Sequence, residues 1–183
     1  MEARDPHKWF PHDHVMRYAI LPLIPSFISP NMVTVLRMIC TPVVLWFLSI
    51  ENYEFGVPFF LLIAFTDAID GSLARVRNQI TEWGTFYDPV ADKLLIGSVV
   101  ILVVAKHVNP VFAGIIILLE LLIIFGGFLR KKNGKVTSAN IFGKTKMCLQ
   151  VLGVGFLLIA LWAGFDLFIP VSIGTLSLAI VFA

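Results

Sequence analysis

Residues 67–92 read DAIDGSLARVRNQITEWGTFYDPVAD. Four acids, Asp67, Asp70, Asp88 and Asp92, stand there among Gly71, Ala74, Arg75 and Gly84, with long apolar runs on both sides. Carboxylates this close to membrane-embedded sequence are costly, so they mark a functional site. A bound cation is what would make them tolerable.

Helical spacing sharpens this reading. Asp67, Asp70, Gly71 and Ala74 are separated by steps of three, four and seven, which puts them on one helix face. Asp88 and Asp92, four apart, share a face of the next helix. Residues 75–84 let the two helices return antiparallel, so four carboxylates point into one small volume. Like charges held together need a counter-cation, and all-oxygen donors suit Mg²⁺, Mn²⁺ or Ca²⁺ rather than zinc. Gly71 and Ala74 leave that face bare for a ligand to approach. Arg75 adds a planar fork that matches phosphate oxygens. The combination points to a diphosphate substrate, with two metals able to polarise the phosphoryl group and stabilise the leaving oxygen.

The surrounding chain is apolar. Of 183 residues 58% are hydrophobic and 14% charged, and the mean hydropathy is +0.89. This predicts an all-α integral membrane protein with several spans of about 20 residues. A net charge of +2 gives no reason to expect a nucleic-acid partner. Cys40 and Cys148 lie in apolar segments and read as small buried hydrophobes. The first 15 residues are polar, so no cleavable signal peptide is expected and the first span would direct insertion. His7, His12 and His14 read as part of a solvated tail rather than a metal site.

One domain is expected over residues 30–183, preceded by a tail and interfacial segment over 1–29. Met1 to His14 reads as irregular. Trp9 to Ile28 mixes aromatic and aliphatic residues with Arg17 and prolines, and suits an amphipathic segment in the headgroup layer. Six transmembrane helices follow: Asn31–Ile50, Gly56 to about Arg77, Gly84 to about His107, Val111–Leu129, Phe142–Ala163 and a short Phe168–Phe182. Basic residues fall before the first, after the second and between the fourth and fifth, which sets both termini and the acidic cluster on the cytoplasmic side.

Several residues carry competing readings. Asp88, before Pro89, could be only a helix N-cap, which leaves the other three acids unexplained. Arg37 could snorkel, but it shares a face with Asn31 and Thr34, which favours a substrate-facing role. Glu120 lies mid-span, with a buried structural role and a site role both open. Lys131, Lys132 and Lys135 suit topology and anionic lipid. Arg130, Lys144 and Lys146 sit at helix ends and suit a phosphate pocket, which would mean an acceptor that carries phosphate. Gly153, Gly155 and Gly174 permit close helix packing.

The pattern D-x2-D-G-x2-A-R-x8-G-x3-D-x3-D resembles the signature of the CDP-alcohol phosphotransferase family, with every fixed position present: Asp67, Asp70, Gly71, Ala74, Arg75, Gly84, Asp88 and Asp92. The hydrophobic layout is similar over roughly Pro30 to Ala183. The N-x-x-T-x-x-R run of Asn31, Thr34 and Arg37 also resembles family members, which implies that these residues line the nucleotide end of the site. Gly143-Lys144-Thr145-Lys146 with Gln150, and DPVADK at 88–93, are similar to the family's phosphatidylglycerophosphate synthases. Those enzymes usually carry an Arg-Glu pair in the fourth span, where this chain has Leu119-Glu120.

The resemblance implies transfer of a phosphatidyl group from CDP-diacylglycerol to a small polar alcohol, with release of CMP. It implies a two-metal site for Mg²⁺ or Mn²⁺: Asp67, Asp70 and Asp88 at one ion, Asp67, Asp88 and Asp92 at the other, and Asp92 as general base. Gly71, Ala74 and Gly84 would pack on cytidine, Arg75 and Thr34 would hold phosphate, and the chain would form a homodimer. Glycerol 3-phosphate is the expected acceptor, with inositol phosphate, serine or another lipid alcohol as alternatives. A divalent-cation transporter is the competing class, but spans three and six lack the polar residues of an ion path. A non-catalytic scaffold leaves the motif without a purpose.

Overall fold

Several helix starts among the described residues carry side-chain caps. The computed structural model describes residues 11–132 and 141–183, and no strand occurs among them. Helix α1 is Pro11–Ala19, followed by a 3-10 turn at Leu21–Leu23. Helix α2 is Pro30–Ser49, α3 is Tyr53–Val76 and α4 is Glu82–Val99. The α4 backbone winds on through a π segment, Val100–Val104, and a last turn, Ala105–His107. Helices α5, α6 and α7 are Pro110–Lys132, Ile141–Ala163 and Phe168–Val181.

Ser29 Oγ accepts the Met32 N–H at 3.3 Å, with Pro30 at the first helical position. Asn52 Oδ1 accepts from Phe55 N at 3.3 Å, and Asn109 Oδ1 from Val111 N at 2.8 Å, at the heads of α3 and α5. Two helices end on a left-handed residue other than glycine that redirects the chain. At Glu51 (φ 58°), Asn52 N donates back to Phe47 O at 3.0 Å. At Asn78 (φ 53°), Gln79 N donates to Ala74 O at 2.9 Å. Both pairings satisfy carbonyls that a helix end would leave unmet.

Each stretch expected to span falls on helix, and among the described residues three helical segments are long and apolar enough to cross a membrane: Pro30–Ser49, Tyr53–Val76 and Thr145–Ala163. Helix α4 falls short because Glu82, Asp88, Asp92 and Lys93 sit within its 18 residues. The 14 residues of α7 rise only about 21 Å, short of a hydrocarbon layer of about 30 Å. Large apolar side chains such as Ile39, Trp46, Leu121 and Phe125 stand exposed, as on a surface that meets lipid. Cys40 and Cys148 are free thiols, and Cys148 is exposed rather than buried as expected.

The chain forms two compact units, Met1–Trp46 with Pro58–Leu95, and Phe47–Val57 with Ile96–Ala183. The first holds the acidic motif. Its start departs from the irregular tail expected through His14: α1 begins at Pro11, and Asp13 is fully buried. The reason is tertiary. Met16 and Leu21 pack on Leu73 of α3, with Ile20, Ile24, Ala68 and Val76 around them. Arg77 then donates to the carbonyls of Ile24, Pro25 and Ile28, at 2.7, 3.2 and 3.2 Å, and so holds the connection to α2. In the second unit α6 and α7 approach closely at Gly153, where a Cβ would lie 2.7 Å from Leu176 Cγ. Ser172 Oγ donates to the Gly153 carbonyl there, at 2.7 Å.

Candidate active site

One face of α2 carries Asn31, Thr34 and Arg37 at three-residue steps. Each finds a different partner in the first unit. Arg37 is fully buried, so it does not snorkel. Its Nη1 donates to Asp67 Oδ1 at 2.8 Å, its Nη2 to Asp70 Oδ2 at 2.5 Å and its Nε to Thr66 Oγ1 at 3.3 Å. Thr34 Oγ1 stands 2.6 Å from Asp88 Oδ1, 3.3 Å from the Pro30 carbonyl and 3.4 Å from Asp70 Oδ2. A hydroxyl has one proton to give, and the shortest contact assigns it to Asp88. Asn31 Oδ1 accepts from Thr81 Oγ1 at 2.9 Å, and the same Thr81 oxygen accepts the Gly84 N–H at 2.9 Å.

That last bond caps α4 at Thr81, so the helix begins at Glu82, two residues before Gly84. This start has two consequences. Asp88 and Pro89 lie inside α4, so Asp88 is not an N-cap. Pro89 is also past the first turn, where its missing N–H would have been harmless. Gly84 is closely overlaid, since a Cβ there would meet Asn31 Oδ1 at 3.0 Å and Thr81 Oγ1 at 3.1 Å.

The structure therefore brings Asp67, Asp70 and Asp88 together through Arg37 and Thr34. Asp70 is 2% exposed, while the Asp67 side chain is 42% exposed. Asp92 follows one turn after Asp88 and is buried. The donor chemistry fits a hard divalent cation: every candidate ligand is a carboxylate oxygen, and the acids outnumber the guanidinium among them. Among the described residues, however, no three acidic, imidazole or thiol groups already form a ligand cluster. Arg37 stands between two of the expected ligands, and any cation there shares Asp67 and Asp70 with it.

Arg75 shows a partner that the sequence did not suggest. Its Nε donates to Asp13 Oδ2 at 2.7 Å and its Nη2 to Asp13 Oδ1 at 2.8 Å. Ser72 Oγ donates to the same Asp13 Oδ1 at 2.6 Å. The guanidinium folds back over Gly71, where a Cβ would lie 3.3 Å from Nη1. The bare face expected to admit a ligand is covered at that point by the arginine of the next turn. Ala74 is half-buried on the same helix.

In the second unit Lys146 Nζ donates to Glu120 Oε1 at 2.5 Å, and both side chains are largely buried. Gln150 is buried one turn beyond Lys146. The side chains of His12, Arg130, Lys131, Lys132 and Lys144, and the whole of His7 and Lys135, lie outside the described residues.

Sequence reasoning missed Asp13, Ser72, Thr66 and Thr81. Thr81 was readable as a hydroxyl three residues before Gly84, at the head of a helix. Nothing local marks Asp13, whose partners lie 59 and 62 residues away.

A family model described as CDP-alcohol phosphatidyltransferase matches residues 27–183. The chain is 40% identical over 80 residues to the CDP-diacylglycerol–glycerol-3-phosphate 3-phosphatidyltransferase of Rickettsia felis, covering 42% of this chain and 44% of that protein. The enzyme of the same name from Bacillus subtilis is 34% identical over 105 residues, 57% of this chain and 54% of that one. That of Aquifex aeolicus is 30% identical over 134 residues, 70% and 75%. In the first two matches the chain spans about half the length of its curated relative. The matched region contains the whole α2–α3–α4 cluster of Asn31, Thr34, Arg37 and the four aspartates, and the chain belongs to the CDP-alcohol phosphatidyltransferase family.

Proposed function

We propose that this protein transfers a phosphatidyl group from CDP-diacylglycerol to glycerol 3-phosphate, forming phosphatidylglycerophosphate and CMP. One observation carries the reading. Carboxylates of two helices, Asp67 and Asp70 on α3 and Asp88 on α4, are joined through Arg37 and Thr34 of a third, in a chain whose relatives bear that enzyme's name.

The family is generally dependent on a divalent metal. Mg²⁺ or Mn²⁺ held by Asp67, Asp70 and Asp88, with a second ion at Asp67, Asp88 and Asp92, would neutralise the diphosphate and the leaving CMP. The protein's own groups do the rest. The acceptor hydroxyl oxygen bonds to the phosphorus that carries diacylglycerol, and the bond from that phosphorus to the CMP oxygen breaks. Asp92 takes the hydroxyl proton as general base. Arg75 holds phosphate oxygens, with Thr34 once its hydroxyl proton is released from Asp88, while Gly71, uncovered as Arg75 turns to the phosphate, receives the cytidine end with Ala74, Gly84 and Asn31. Lys146, with Arg130 and Lys144, binds the acceptor's phosphate, and Glu120 holds Lys146 in place.

The reading extends to the membrane. Six spans, with both termini and the site cytoplasmic, follow from the alternation of basic loops. Acyl chains then remain in lipid while the nucleotide stays in water. Gly155 and Gly174, with no side chain or backbone within 4 Å of a notional Cβ, leave small-residue surface for a homodimer.

The test is CMP release from CDP-diacylglycerol by purified protein, with and without Mg²⁺, against a panel of acceptor alcohols. Metal-dependent release with glycerol 3-phosphate is expected. Asp92→Asn should abolish it and leave the unfolding temperature near that of the wild type. Near-normal turnover in that variant would contradict the base assignment.

A further inference from the structure

We infer that Asp13 is a positioning residue for donor recognition: from α1 it aims the Arg75 guanidinium, so the seating of the first helix sets how the diphosphate is held. The inference rests on the proposed transfer reaction, in which Arg75 holds a donor phosphate.

Asp13 is fully buried, on the face of α1 that also carries Met16. A buried carboxylate is costly unless its oxygens are met by charged or polar donors. The donors that meet this one include Ser72 Oγ and Arg75 Nη2 on Oδ1, and Arg75 Nε on Oδ2. The two arginine bonds form a fork, which fixes the plane of the guanidinium as well as its position. With the Nε edge held by Asp13, Nη1 is directed over Gly71, the residue that follows Asp70. An arginine has enough rotamer freedom to lose this aim once the fork is gone. The motif on α3 thus supplies the cation, and a helix some 60 residues upstream supplies its direction (sequence separation 62).

Ser72 provides an internal control. It shares Asp13 Oδ1 but has no bond to the fork's other arm. Ser72→Ala loosens the seat of α1 and leaves the Arg75 fork in place. Asp13→Asn keeps the shape, and an oxygen for Ser72, but removes the charge and one acceptor from the fork. A structural role alone would lower the unfolding temperature in both variants without separating the donor KM from the acceptor KM.

The experiment uses the full chain in lipid nanodiscs with Mg²⁺, and measures kcat and the separate KM values for CDP-diacylglycerol and glycerol 3-phosphate, together with unfolding temperature. Asp13→Asn is expected to raise the donor KM about tenfold or more, as loss of one charge-assisted hydrogen bond would, with the acceptor KM unchanged. Ser72→Ala should leave the donor KM within about twofold of wild type. Asp13→Glu moves the carboxylate by one methylene and should raise the donor KM several-fold; it serves as the test if Asp13→Asn does not accumulate. Equal donor KM values for wild type and the Asp13 variants overturn the inference. So does a rise of both KM values by one factor, or a donor effect in Ser72→Ala that matches Asp13→Asn. If the wild type itself releases no CMP, the transfer reading falls and takes this inference with it.

Discussion

Replacing Arg37 with methionine would remove a positive charge from the middle of the acidic cluster while keeping an unbranched side chain of similar length. The guanidinium makes three contacts, at 2.8 Å to Asp67, 2.5 Å to Asp70 and 3.3 Å to Thr66. They are not of equal weight. The Asp67 side chain is 42% exposed, so water substitutes for much of what it loses, and its share is discounted to the range of a surface pair, about 0–1 kcal/mol. Asp70 is 2% exposed and has no such recourse. Breaking a buried pair by removing one partner costs about 3–5 kcal/mol, which sets the expected loss for Arg37→Met. Arg37→Lys keeps the charge but offers a single ammonium where three partners are spaced for a fork, so an intermediate loss is expected. The decisive variant is Arg37→Met with Asp70→Asn, which removes both charges of the buried pair. It should regain a large part of the stability lost in the single variant. Thermal or denaturant unfolding in detergent, followed by tryptophan fluorescence with Mg²⁺ omitted, reads all of these. A loss below about 1 kcal/mol for Arg37→Met, or no recovery in the double variant, would refute the assignment of Arg37 as counter-ion to Asp70.

Two further outcomes test other parts of the structure. Gly153→Ala puts a methyl group 2.7 Å from Leu176 Cγ and 2.8 Å from Thr175 Oγ1, so a loss of about 1–3 kcal/mol from overpacking is expected, whereas Gly155→Ala meets nothing within 4 Å and should be neutral or slightly stabilising; equal effects in unfolding measurements would contradict the α6–α7 contact. Glu51 and Lys106 form an exposed ion pair, and the Lys106 hydrogen bond holds the Glu51 carboxyl below its ordinary range. A depressed carboxylate contributes above its unfolded pKa and loses that contribution as pH falls through the folded value. Glu51→Gln should therefore change stability little at neutral pH and not at all in acid below that value, and a large neutral-pH shift in unfolding temperature would contradict the pair's exposure.

The acidic motif was legible because its geometry is local. Steps of three and four residues fix Asp67 with Asp70, and Asp88 with Asp92, before any tertiary contact is known. The inward direction of Arg37 was legible for the same reason, from its shared face with Asn31 and Thr34. What it touches was not, because a fixed cation and a bound cation are interchangeable answers to one cluster of acids. The head of α4 was legible only as lying near Gly84, because glycine drew attention from the Thr81 cap that sets it. Helix α1 was read as tail through His14 because its burial depends on Ser72, Leu73 and Arg75, which no window around residue 13 contains. Hydropathy located helical stretches throughout, but α4 carries its charges inside the stretch, so composition alone does not separate a span from a site.

The hold of α3 on residues 13–28 also has a consequence in time. Ser72 and Arg75 lie 59 and 62 residues after Asp13, and Arg77 lies 49 to 53 residues after the carbonyls it binds. At a synthesis rate of about 5–20 residues per second, the nascent N-terminus waits roughly 3–12 s for these partners to emerge. Throughout that interval the Asp13 carboxylate lacks Ser72 and Arg75. Helix α1 thus docks late, after α2 and α3 have both been synthesised.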